Sequence, residues 1–257
     1  MAVSPLCFQI STAHAQRGEG FAQRVSPPPS VTTGFPGIFD TNVVAKGHVV
    51  ADLPTTGVNF GFTGDLTLGV YALSALPFLA GEPSLLVRAR YRLFGDGTVT
   101  SILDLQTGYV AVSDKENRVG VLPAWFLWNT SKRLGARHEL ALNVMALYLR
   151  ISDEVRGKAG SAQVASAALA GVGLTYQFTV VRWLQLRATL LSIPLTLVSA
   201  DSAGASVQVG ELDDLNFRTA IARALASFRL GKWLLEGGGY VGTGVPISPW
   251  ISVSKDW

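Results

Sequence analysis

The stretch Val172-Gly173-Leu174-Thr175-Tyr176-Gln177-Phe178-Thr179-Val180 decides the fold. Large apolar side chains take every even position, and small or polar ones take the odd positions. A period of two puts one set on each face of a β-strand. The pattern recurs outward in both directions. In 184–190, Leu184, Leu186, Ala188 and Leu190 alternate with Gln185, Arg187 and Thr189. In 85–93, Leu85, Val87, Ala89, Tyr91 and Leu93 alternate with Leu86, Arg88, Arg90 and Arg92. An α-helix would spread those arginines around its circumference.

A water-soluble sandwich also alternates, so three further features choose between architectures. The patterns run to about 9–11 residues, the length a tilted strand needs to cross a bilayer, against about 5–6 in soluble proteins. Aromatic residues gather at strand ends (Tyr91 and Phe94, Trp128, Tyr176 and Phe178, Phe228 and Trp233), as interfacial girdles do. Short connections centred on Gly64-Asp65, Gly95-Asp96-Gly97, Gly135-Ala136-Arg137, Val181-Arg182 and Gly231-Lys232 alternate with longer polar ones at Ser113–Arg118, Ser152–Gln163 and Ser199–Asp214. Short turns on one rim and long loops on the other is the outer-membrane arrangement. Charged residues are 15% of the 257-residue chain, and glycine occurs 27 times, which suits a lipid-facing sheet better than a helical bundle.

The expected fold is all-β: a closed, antiparallel, transmembrane up-and-down barrel of about twelve strands, or ten. The strands are expected near 44–52, 56–63, 66–74, 84–94, 98–112, 119–131, 138–151, 168–180, 183–197, 215–230, 233–245 and 249–257. Closure follows from the solvent, since lipid offers no hydrogen bonds to an open sheet edge. A transmembrane-helix reading has one foothold, the uncharged run 159–181. Its second half, however, alternates strictly.

The N-terminal region differs. Ala13-His14-Ala15 has the small-x-small form of a signal-peptidase site, so residues 1–15 read as the remnant of a signal peptide. The sole cysteine, Cys7, lies inside it. Residues 16–42 carry Ser26-Pro27-Pro28-Pro29-Ser30 and Gly34-Phe35-Pro36-Gly37. Proline and glycine this dense hold neither helix nor ladder, and the region reads as a flexible periplasmic linker. The barrel is expected over 43–257.

The chain ends Ile251-Ser252-Val253-Ser254-Lys255-Asp256-Trp257, with apolar residues at alternate positions back from a terminal aromatic. This resembles the C-terminal assembly signal of Gram-negative outer-membrane barrels, with Ile251, Val253 and Trp257 on its apolar face. Lys255 departs from that pattern; at a rim it can snorkel to the interface. The segment Val58–Tyr71, with Phe60-Gly61-Phe62-Thr63 before a two-residue turn and Leu66-Thr67-Leu68-Gly69 after it, is similar to the first hairpin of small outer-membrane barrels of uncharacterised function. The resemblance implies an outer-membrane location, with outer-membrane lipid and the barrel assembly machinery as partners. It carries no catalytic residues.

Chemistry is sparse. The net charge is +3 and basic runs are absent, which excludes a nucleic-acid role. The remaining histidines, His48 and His138, lie in the first strand and at a turn, without a serine-protease-like context. Neither an enzyme nor a cofactor or metal site is expected. The lumen says more. With the apolar set outward, Arg88, Arg90, Arg92, Arg187 and Arg223 point inward with Asp104 and Glu236, and Asp104 with Arg90 is the leading cross-strand pair. Leu147, Leu149 and Leu191 also fall on the inner face. The expected function is a passive channel or transporter for small solutes through a weakly basic lumen. The alternative is a closed structural or surface-binding barrel braced by those ion pairs.

Overall fold

The computed structural model describes Thr32 and residues 39–53, 57–71, 81–82, 84–113, 117–155, 163–202, 205–212, 220–242 and 245–257. The expected signal remnant 1–15, and most of the expected linker, lie outside these residues. The strands are β1 (Val49–Leu53), β2 (Gly57–Gly61), β3 (Leu66–Val70), β4 (Leu85–Gly95), β5 (Val99–Ser113), β6 (Asn117–Arg133) and β7 (His138–Val155). They continue with β8 (Gln163–Val181), β9 (Leu184–Ser202), β10 (Ala205–Leu212), β11 (Ala220–Leu230), β12 (Trp233–Gly242) and β13 (Val245–Asp256). Every pairing is antiparallel, and no helix occurs among the described residues.

The sheet closes on itself. Neighbours in sequence pair from β1 to β9, and β11 follows β9 on its other edge. β13 then returns to β1 through Val50↔Asp256 and its neighbours. Thirteen strands fill twelve places in the ring. β10 pairs with the Leu195–Ser202 half of β9, and β11 pairs with the Leu184–Ser192 half of the same edge. The two therefore share one barrel position. The run 159–181, weighed above as a membrane helix, contains β8.

Two expectations about connections are corrected. The loop expected at 199–214 is largely ladder, because β9 runs to Ser202 and β10 begins at Ala205. The sequence alternation there is weak, since small and polar residues take both odd and even positions. Likewise, within the loop expected at 113–118, Ser113 belongs to β5 and Asn117 and Arg118 belong to β6. The first expected strand, 44–52, begins only at Val49.

The alternation reads directly onto the two faces. Leu174 is 52% exposed, whereas Thr175 beside it is fully buried. Val58, Phe60, Leu68, Leu85, Tyr91, Leu105, Leu186 and Leu190 are exposed on the outer wall; Asn59, Thr67, Arg88, Arg90, Asp104, Gln185 and Arg187 are buried inside. This is the inverse of a water-soluble barrel, where the oily set would fill the interior. The short connections Phe62–Asp65, Asp96–Thr98, Leu134–Arg137, Arg182–Trp183 and Gly231–Lys232 share one rim with the chain end at Trp257. Phe62, Phe94, Trp183, Trp233 and Trp257 are exposed there.

Candidate functional site

The interior is built from polar side chains that the strand parity turns inward. Arg90 and Asp104 are register partners on β4 and β5. The Arg90 Nε donates to Asp104 Oδ2 at 3.0 Å, and Arg88 Nε donates to Asp104 Oδ1 at 3.0 Å, so one carboxylate holds two guanidinium groups. All three side chains are fully shielded from solvent. Gln106 and Tyr71 are hydrogen-bonded to each other above this pair, and Gln106 Nε2 also donates to Asp104.

A second strand of chain crosses this space. Asp40 accepts from Arg90 Nη1 at 2.9 Å and lies 3.9 Å from Arg187 Nη2 across the barrel. The Arg90 Nη1 donates also to the carbonyl of Asn42, and Asn129 Nδ2 donates to the carbonyl of Asp40. Thr41 meets Ser131 at 2.9 Å, and the Val44 amide donates to Thr67 Oγ1 at 2.8 Å. Asn42 Nδ2 donates to Thr32 Oγ1, which contacts Gln185 and Arg187. Phe39 packs on Leu127, Met145 and Leu191 near the middle of their strands. Residues 39–44 thus touch β3, β4, β6, β7 and β9, and occupy the lumen as an inner segment. Within the stretch expected as a flexible linker, 16–42, Thr32, Phe39, Asp40 and Thr41 are buried and Asn42 is half-buried, each held by hydrogen bonds or, for Phe39, by apolar packing. Nothing in a Pro/Gly-rich stretch signals this; the wall partners are 23 to 155 positions away.

The inner segment leaves by the short-turn rim. The Gly47 amide donates to Gly61 O at 2.8 Å, and the Gly61 amide donates to His48 O at 3.0 Å. A Cβ on Gly61 would stand 2.0 Å from the Ala45 carbonyl oxygen, so only glycine admits this crossing.

The remaining candidates divide. Arg187 donates to Gln177 Oε1 and lies 3.9 Å from Glu236, which accepts from Ser227 and Ser252. Arg92 stands at the short-turn end of the strand face that carries Arg88 and Arg90, and pairs there with the exposed Asp65 at 3.3 Å. Arg223 faces inward with its guanidinium 5.2 Å from the Trp250 ring centre. Asp40 and the buried Asp52, neither of them a sequence candidate, join Asp104 and Glu236 as interior acids beside Arg88, Arg90, Arg187 and Arg223.

His48 is bonded to Asp256 at 2.9 Å, and His138 to the Tyr176 hydroxyl at 2.6 Å; both are exposed at the rim. Ile251, Val253 and Trp257 share the outer face of β13, and the Trp257 amide donates to Val49 O. Lys255, the departure from the assembly-signal pattern, stacks between Trp233 and Trp257 at 5.0 and 4.7 Å. Open grooves of about 660, 600 and 610 Å³ lie against the outer wall, where Ala188, Ala222, Ala224 and Gly239 leave the sheet bare between larger side chains. Compared with protein-family models and with curated proteins, the chain matches none.

Proposed function

We propose that this protein is a β-barrel of a Gram-negative outer membrane, and that it is a passive pathway for small solutes held shut by its own inner segment. One observation carries the reading: Asp40, on the inner segment, is held to Arg90 on the wall at 2.9 Å, in the middle of a polar interior enclosed by an apolar exterior. An exposed apolar wall of this extent suits lipid. The inner segment is joined to the wall mainly by hydrogen bonds and one full ion pair. Such contacts exchange readily for contacts to water, which makes the segment a removable closure. Outer-membrane lipid and the barrel assembly machinery are the proposed partners.

The test is planar-bilayer conductance of the refolded full chain. The wild type should be closed for most of the record, with rare openings. Asp40→Asn weakens the hold on Arg90 while leaving Arg90 its Asp104 partner, and should raise the open fraction several-fold. A second reading, a permanently closed structural barrel, is favoured by the Arg88–Asp104–Arg90 clamp, because bracing pairs of this kind stiffen a wall. Silence from both proteins at every voltage would establish that reading and sink the channel.

A further inference from the structure

The lumen beyond the inner segment changes character. Trp125, Ile193 and Ile221 pack on the cluster of Phe39, Leu127, Met145 and Leu191, so the floor and walls there are apolar. Arg223 follows Ile221 on the same inward face of β11. Arg223 is inward-facing and retains some accessible surface; its neighbours across the ladder are Thr189 and Tyr240. Of the inward acids, Asp104 serves Arg88 and Arg90, Asp40 serves Arg90 and Arg187, Glu236 is engaged by Ser227, Ser252 and Arg187, and Asp52 accepts from Ser254. Among the described residues Arg223 has no carboxylate within ion-pair distance; its one recorded contact is the Trp250 ring.

The same region has a surplus of donors. The indole Nε1 of Trp250, beneath the Arg223 guanidinium, is buried without an acceptor, and so is the Nε1 of Trp125. Buried indole N–H groups ordinarily find a partner. A half-buried guanidinium and an unpaired indole donor together ask for a ligand group that only accepts. The surrounding apolar side chains ask for a body that is not hydrated. A dianion such as phosphate fits poorly, because one arginine does not offset the desolvation of two charges.

We infer that Arg223 and Trp250 form a binding site in the lumen for an organic monocarboxylate with an apolar body, the carboxylate on Arg223 and the body against the Ile193–Ile221 wall. The inference rests on the proposed lumen reading only in that the ligand must reach the lumen from one rim. It does not need the inner segment to open.

The probe is phenylacetate, with phenylacetamide as its neutral counterpart, titrated against the full chain in lipid nanodiscs and followed by calorimetry and tryptophan fluorescence. Phenylacetate should bind saturably and at least about tenfold more tightly than the amide, the scale of a charge-assisted hydrogen bond. Arg223→Met should remove that preference, with folding checked by heat-modifiable gel mobility. Arg223→Lys should keep part of it, and Trp250→Phe should weaken phenylacetate alone. Equal affinity for acid and amide in the wild type overturns the site whatever the variants do. So does displacement of phenylacetate by chloride at equal concentration, which would make this a simple halide site. Conductance and binding fail separately: a silent bilayer with selective phenylacetate binding removes the channel and keeps the site, and the converse removes only the site.

Discussion

At the residue scale, Asp104 is the most constrained group in the molecule. It accepts from two arginines, and all three are sealed from water. Removing one partner from a buried charge cluster costs about 3–5 kcal/mol, because the charges left behind are uncompensated. Asp104→Asn should therefore lower the unfolding free energy of the barrel, read from urea titration in lipid vesicles, by that amount and shift the midpoint down accordingly, whereas replacing Arg88, Arg90 and Asp104 together by Met, Met and Leu should recover most of the loss. An undiminished midpoint for Asp104→Asn would show that water reaches the pair. Asp96, fully exposed in the turn between β4 and β5, obeys a different rule. The amides of Val99 and Thr98, both at 2.7 Å, hold its carboxyl below the usual carboxylate range. Its folded pKa is depressed, so its contribution is complete above the ordinary value of about 3.9 and disappears as pH falls through the folded value. Amide exchange at Thr98 and Val99 should stay slow through pH 4 and accelerate only below Asp96's own midpoint, which NMR titration locates. The Asp104–Arg90 pairing was legible because strand parity and a guessed hairpin register suffice to set two residues opposite each other. Asp40 was not legible, since its partner Arg90 is 50 positions away and no periodic pattern connects them.

Among the elements, β2 and the inner segment depend on each other. Gly61 ends β2 where the Ala45 carbonyl passes its Cα, leaving no room for a Cβ. Gly61→Ala should push residues 45–48 off the ladder and expose the exposed Lys46 further; trypsin cleavage after Lys46 should then be several-fold faster than in the wild type. Matching rates would mean that the crossing tolerates a shift of the backbone. Most strands were foreseen to within a few residues because their outer and inner sets differ so sharply in polarity. β10 was missed for a physical reason. Ala205-Ser206-Val207-Gln208-Val209-Gly210 pairs with the equally small and polar Val198–Ser202 stretch, and what specifies it is the neighbouring long edge of β9. With 19 residues, β8 and β9 run about 60 Å along their axes, beyond what a tilted strand needs for a hydrocarbon core of about 30 Å.

For the whole molecule, the arrangement of polarity is the testable feature. Leu174 stands on the outer wall at mid-strand, 52% exposed. In a lipid-embedded barrel Leu174→Arg should cost about 2–4 kcal/mol, read as a lower folding yield into vesicles and loss of the fast-migrating unboiled band. In a water-soluble barrel the same change should be neutral, and that result would remove the membrane reading altogether. Closure of the ring contributes on this scale as well: β13 returns to β1, and the Trp257 amide donates to Val49 O at the end of that seam.

The amino-acid sequence by itself determined the strands, their two faces and the inverted polarity, because a period of two is a local property and each strand carries it alone. It determined that arginines and acids would share the interior. The tertiary structure alone decided that the interior is filled by Phe39–Val44, that Asp40 joins Asp104 beside the arginines there, and that Arg223 faces a tryptophan. Those outcomes depend on which atoms meet across a closed cylinder, and a chain's periodicity holds no information about contacts between segments that share no register.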